Sequence, residues 1–187
     1  AGLKQAFTLN DGRTVVGPQF EHVGYNPEHG PSVNVERVGA FVHHRFSDAI
    51  ELNSSFYADF QHGDSDTTIF THDTYLTLFP GDRWRVDLGA NRYTLDNITS
   101  LNKGISVDSF SGSVDFWPAS YVKLTGRGAW SDYSDGNERW WFQGEGQVRF
   151  MRGPDIWFGA RYTALAFSEM LDNGYFNPDD LYSFETT

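Results

Sequence analysis

The 187-residue chain contains no cysteine, so neither a disulfide framework nor a thiolate metal site exists in it. It has no run of about 20 apolar residues of the kind a membrane helix requires. The opening residues, AGLKQAFTLN, lack the apolar centre of a signal peptide. Basic residues are scarce: 14 Lys and Arg stand against 25 Asp and Glu, giving a net charge of −11 and a pI near 4.8. A surface of that sign does not neutralise phosphates, which argues against nucleic acid as a partner. The mean hydropathy of −0.48 is that of a soluble protein, or of the one membrane architecture that averages conceal. A transmembrane barrel alternates lipid-facing with lumen-facing residues and so keeps its mean hydropathy low.

What is abundant is aromatic residues (17%) and glycine (19 residues), in strict alternation with polar ones. In YVKLTGRGAWSDYSDGNERWWFQGEGQVRF, Val122, Leu124, Gly126, Gly128 and Trp130 alternate with Lys123, Thr125, Arg127, Ala129 and Ser131. After the turn, Trp140, Phe142, Gly144, Gly146, Val148 and Phe150 alternate with Trp141, Gln143, Glu145, Gln147 and Arg149. Period two means strands, here a hairpin with one apolar and one charged face. The same pattern predicts eleven strands, over 3–9, 13–24, 34–46, 49–61, 68–79, 83–95, 104–116, 121–132, 138–151, 156–168 and 181–187. Parity slips near residues 36–37, 92–93 and 108–109 read either as bulges or as errors in the assigned register. Strand 68–79 is the weakest, with His72 and Asp73 at its middle.

Connections alternate between short (NDG, SD, PGD, PAS, RGPD) and long (YNPEHGPS, HGDSDT, DNITSLNK, SDYSDG, SEMLDNGYFNPDD). In a meander this places tight turns at one end and long loops at the other, the asymmetry of outer-membrane barrels. The expected fold is therefore all-β, a single domain over 1–187. It is an antiparallel up-and-down transmembrane β-barrel, or an incomplete segment of a larger one, because bacterial barrels have even strand numbers. Trp84, Trp130, Trp140, Phe46, Phe60, Phe116, Phe150 and Phe158, near strand ends, fit aromatic girdles. The competing account makes those rings the core of a soluble two-sheet domain.

On the barrel account the inner wall carries Arg37, Arg45, Glu51, Asp59, Asp73, Arg83, Arg85, Asp87, Asp115, Lys123, Arg127, Glu145, Arg149 and Arg161. Phe41, Tyr57, Trp141 and Trp157 join them as rings suited to the apolar faces of sugars. The charges serve either as cross-strand pairs that stiffen the wall or as the lining of a hydrophilic path. Loop carboxylates at Glu28, Asp64, Asp66, Asp96, Asp132, Asp135, Asp172, Asp179 and Asp180 solvate the surface or attract cations to a mouth.

Enzyme signatures are poor. His43 and His44 are adjacent, so on a strand they point to opposite faces and cannot share a metal. The DSD at 64–66 lacks the spacing of a calcium loop. No Gly-x-Ser-x-Gly elbow occurs, and GRG and GEG lack the helix of a phosphate loop. No cofactor is expected.

The segment NGYFNPDDLYSF (residues 173–184) places an aromatic pair and Asn-Pro just ahead of a strand. It resembles the Gly-Tyr-Phe-(Ser/Asn)-Pro motif in the C-terminal barrels of bacterial exopolysaccharide-export porins, the cellulose-synthase-operon outer-membrane protein and the poly-N-acetylglucosamine porin. The resemblance spans these residues alone; the hairpin pattern is general to barrels. It implies a barrel of about sixteen strands with more strands beyond the motif. It also implies a bacterial outer-membrane location, outer-membrane lipid and a polysaccharide chain as partners, and a periplasmic tetratricopeptide domain or synthase complex nearby. The function expected is passive export of a hydrophilic polymer. A soluble carbohydrate-binding or structural domain is the alternative, and a barrel serving as a structural or adhesive surface protein is a third. A neutral aromatic track would suit cellulose, an acidic one a cationic polymer and a basic one an anionic polymer; the mixed wall selects none.

Overall fold

A computed structural model describes residues 2–25, 32–63, 66–95 and 97–186. Its strands are β1 (Gly2–Lys4), β2 (Phe7–Leu9), β3 (Thr14–Tyr25), β4 (Val33–Ser47), β5 (Ile50–His62), β6 (Thr67–Gly81) and β7 (Trp84–Thr94). A short helix α1 (Ile98–Asn102) precedes β8 (Ser106–Ala119), β9 (Val122–Tyr133), β10 (Glu138–Arg152), β11 (Asp155–Phe167) and β12 (Asp180–Thr186). All belong to one antiparallel sheet in which β3 to β12 pair in chain order, with β1 and β2 end to end along β3. Among the described residues β12 pairs only with β11, and the sheet does not close on itself. No helix is long and apolar enough to cross a membrane.

The expected first strand is thus two. Gln5 N–H donates to Pro18 O at 3.2 Å. Pro18, having no N–H, cannot return the bond, so the ladder lapses there. The Gln5 carbonyl swings across Gly17, where any Cβ would overlap it. Beyond the break, Asn10 and Asp11 turn the chain at φ of 53° each, a left-handed conformation that Asn and Asp tolerate.

Strand 68–79 is not weak; β6 pairs with β5 from Thr67 to Leu78. Nor are there bulges at residues 36–37, 92–93 or 108–109. The register is unbroken through Glu36↔Phe60, Arg37↔Asp59, Arg92↔Asp108 and Tyr93↔Val107. What changes there is polarity. Toward the long-loop end the outward row becomes polar, with His72, Arg92, Asp108, Asp132 and Glu138 joined by cross-strand pairing. The inward row becomes apolar and buried. Val33, Val35 and Leu101 form one small core; Ile105, Val107, Tyr133 and Phe167 form another. The true irregularities lie at residues 45–47, 78–81, 116–119 and 149–151, each beside a short turn, a rim position that bulges favour.

Between the rims the faces are opposite in character. Phe56, Phe70, Leu88, Phe110, Leu124, Phe142 and Phe158 stand outward and exposed, Phe70 at 73%. Trp140, 61% exposed, and Trp130 neighbour each other one row below the polar belt, and Trp130 Nε1 donates to Glu138 at 3.3 Å. Trp84 stacks on Phe116 at 4.0 Å toward the short-turn rim. At about 3.3 Å per residue, residues 140–150 cover about 33 Å of strand, or about 25 Å along a membrane normal at a tilt of about 40°. That is the height of an outer-membrane apolar band.

Candidate functional site: the inner wall

Alternation places every second side chain of β3 to β12 on the polar face, where cross-strand pairs assemble into ladders. Arg37 lies between two carboxylates, donating through Nε to Asp59 at 3.2 Å and through Nη1 to Glu21 at 3.3 Å. Asp59 is 0% exposed and accepts a further bond from Thr71 Oγ1 at 3.2 Å, so four strands share one network. Asp87 accepts from Thr77 (2.7 Å) and Ser113 (3.2 Å) and pairs with Arg85 at 3.0 Å. Asp115 accepts from Thr125 at 2.6 Å and pairs with Lys123 at 3.2 Å. Glu145 pairs with Arg161 at 3.3 Å and accepts from Gln147 at 2.9 Å; Arg161 also approaches Glu185. Arg127 donates to Gln143, which donates to Thr163.

Nearer the short-turn rim Arg45 pairs with Glu51 and Asp48. Arg149 pairs with Asp155 and lies 4.8 Å over Trp157. Trp141 faces inward opposite Ala129 and Leu165. Arg83 departs from the expectation: it lies in the turn between β6 and β7, outside both strands, and donates to Pro118 O. His43 and His44 point apart as alternation requires, His43 to Asn53 at 2.7 Å and His44 to Thr14 at 2.8 Å.

Two residues escaped the sequence reading: Glu21 and Tyr75. Parity alone assigns them inward along β3 and β6, both regular strands. The doubt over His72 and Asp73 concealed Tyr75.

The long-loop end is tied across. Leu101 of α1 packs on Val33 and Val35 of β4, well inside the wall. The loop after β11 reaches α1: Ser100 Oγ donates to Asn173 O at 2.9 Å, and Lys103 Nζ to Asn173 Oδ1 at 2.6 Å. Asn173 and Tyr175 both donate to Asp135 Oδ2, at 2.7 and 2.9 Å. The Tyr175 ring stacks on Tyr133 at 4.9 Å. The NGYFNP segment is thus a clamp that joins three connections over the inner face. Burial pushes the Tyr175 phenol up to about 12; a bond from Asn137 opposes this and the Asp135 carboxylate adds to it. Asp132 and Asp180 sit on the outward row at strand ends, while Asp66, Asp172 and Asp179 lie in connections. Glu28, Asp64 and Asp96 lie outside the described residues. Among the described residues no cluster of His, Asp and Glu has the makings of a metal site.

A two-faced, up-and-down antiparallel sheet, apolar outward and polar inward with its long connections at one end, defines the fold of an outer-membrane barrel wall. Comparison with solved structures agrees. A bacterial polysaccharide outer membrane secretin superposes with a TM-score of 0.68 at 19% sequence identity, covering 90% of this chain. This chain spans 61% of the length of that one. No protein-family model matches the sequence, and no curated protein matches it.

Proposed function

We propose that this chain forms wall of a bacterial outer-membrane pore through which an exported polysaccharide passes, without catalysis. The observation that carries the reading is the opposite chemistry of the two faces of one sheet. The outer face offers water a continuous field of Phe, Trp and Leu, far beyond the few hundred Å² of apolar patch that a soluble monomer exposes. That field is what lipid covers, and it counts against the soluble carbohydrate-binding alternative. The inner face is wetted by ladders in which Arg37, Arg45, Arg85, Lys123, Arg149 and Arg161 are each paired with a carboxylate.

A wall of compensated charges attracts neither strongly anionic nor strongly cationic chains, yet stays hydrophilic. Such a surface lets a sugar chain slide, since conduction requires contacts weak enough to release. Synthesis elsewhere, by a synthase complex with or without a periplasmic tetratricopeptide scaffold, would supply the drive. The likeness in fold to a polysaccharide outer membrane secretin supports the substrate class. The loop clamp over the inner face at the long-loop end favours, as a second reading, a structural barrel without a path.

The two are separated by reconstituting the native protein into lipid vesicles loaded with labelled cello-oligosaccharides and following release. Release above that of empty vesicles supports the pore. Tight retention in vesicles that demonstrably hold folded protein leaves the structural barrel.

A further inference from the structure

Asp59, Asp87, Asp115 and Glu145 each have a cationic partner on the wall. Asp73 does not: among the described residues it makes no ion pair, and it faces inward at the middle of β6. Its hydrogen-bonding neighbours, Asn91 and Tyr75, are neutral. The Asn91 amide, oriented to satisfy both its ends, donates to Asp73 Oδ1 at 3.0 Å and accepts from Tyr75 Oη at 3.1 Å.

The rings beside Asp73 share an unusual support. Tyr75 pairs across strands with Gly89, and Tyr57 with Gly39. A Cβ at Gly89 would come within 2.9 Å of the Tyr75 ring, and one at Gly39 within 2.8 Å of the Tyr57 ring. Each ring therefore leans along the wall across a bare glycine instead of standing into the lumen. Tyr75 remains 37% exposed, with its free face inward. Phe41 leans over Gly17 in the same way, but Lys4 Nζ covers it at 3.7 Å. Only the two tyrosines are left open of these three. Together with Asp73, Asn91 and Thr71 they border a cleft of about 350 Å³, within the roughly 300–1,000 Å³ range of small-molecule sites. Arg37 and Arg92 line it too, Arg37 held by Glu21 and Asp59 and Arg92 by Asp108.

We infer that this cleft is a saccharide subsite that holds one stretch of a neutral pyranose polymer, an inference that rests on the pore reading. The C–H face of a sugar ring packs on Tyr57 and Tyr75, and a hydroxyl donates to Asp73. A carboxylate with no ion pair of its own accepts from neutral hydroxyls, and since Arg37 and Arg92 are each held by carboxylates, its charge disfavours uronates. The platforms lie flat, so a chain is gripped without being blocked.

The test is calorimetric titration of the full chain, folded in detergent micelles, with cellohexaose, and with hexaguluronate as the anionic counterpart. Cellohexaose binding is expected in the wild type, weakened about tenfold by Tyr57→Ala or Tyr75→Ala, the scale of one lost aromatic contact. Tyr75→Phe should bind as the wild type does. Asp73→Asn should weaken cellohexaose binding and admit hexaguluronate. The last two variants preserve shape, so the inference stands on them even where the alanine variants do not fold. No cellohexaose binding by folded wild type, equal affinity in wild type and Asp73→Asn, or preference of the wild type for hexaguluronate would overturn it. Vesicle release with binding unchanged in the variants removes this subsite and leaves the pore. Binding that responds to the variants without vesicle release keeps the subsite and removes the pore.

Discussion

At the scale of residues, the inner wall is held by carboxylates whose partners come from neighbouring strands. Asp59 is the deepest of them, fully buried against Arg37 and Thr71. Removing one partner of a buried pair leaves the other uncompensated, a loss of about 3–5 kcal/mol. Glu21 still holds Arg37, so Asp59→Ala should cost about 3 kcal/mol, the low end of that range. Urea unfolding of the variant in micelles measures it, and a change below about 1 kcal/mol, the level of a surface pair, would show that the network is solvated. The two faces make a second prediction. Val114 and Ser113 are adjacent at one depth, Val114 outward and Ser113 inward against Asp87. Val114→Arg should cost about 2–4 kcal/mol of assembly in lipid, as arginine does near a bilayer midplane. Ser113→Arg gains a carboxylate neighbour and should cost far less. Equal effects would contradict the assignment of faces.

At the scale of elements, the clamp over the long-loop end is the least regular part and the most specific. Asn137, fully buried, donates to Glu169 O at 2.9 Å and accepts from Ser168 Oγ and the Glu169 N–H, tying the β9–β10 turn to the loop after β11. Asn137→Ala strands those groups, each worth about 1–3 kcal/mol when buried and unpaired. Its expected signature is faster hydrogen exchange at Glu138 and Glu169 with the mid-strand amides unchanged. The Tyr175 phenol gives the clamp a pH limit. It is held at about 12 in the clamp, against an ordinary value of about 10 when released. Its contribution is whole below pH about 10 and is lost as pH climbs toward 12, because the open loop gives up the proton first. The tyrosinate titration of the wild type minus that of Tyr175→Phe should show one group near 12; Tyr133, likewise pushed up to about 12 by burial, remains in both. A difference centred near 10 would mean that the clamp is open.

Legibility in the sequence divides along the same line. Period two located every long strand of the sheet, because a strand with one face in lipid and one in water must alternate. The apparent slips at residues 36–37, 92–93 and 108–109 misled because they came from geography, not geometry. Above the apolar band outside becomes the wet side, and the same register carries Val35 and Val107 inward. Position along the normal is not written in alternation. The charged residues of the wall were legible by parity, except Arg83, whose neighbour Asp82 shares a two-residue turn with it. Pairing was not legible, since it depends on register between strands. Neither was the Tyr75 platform, which needs Gly89 opposite it. NGYFNP was visible as a motif, but its work as a clamp depends on Asp135 and Lys103, distant in the chain.

At the scale of the whole molecule, the account makes one demand. A sheet with this outer face belongs in lipid, wrapped into a wall around a polar interior. The measurement that tests it most directly is fractionation of the native protein, followed by gel mobility in detergent with and without boiling. The account predicts recovery in the outer membrane and a mobility that shifts on heating, as a closed and resistant barrel gives way. Recovery as a soluble protein with no need of detergent, migrating alike in both lanes, would contradict it and turn the aromatic face into a surface that some other part of a protein must cover.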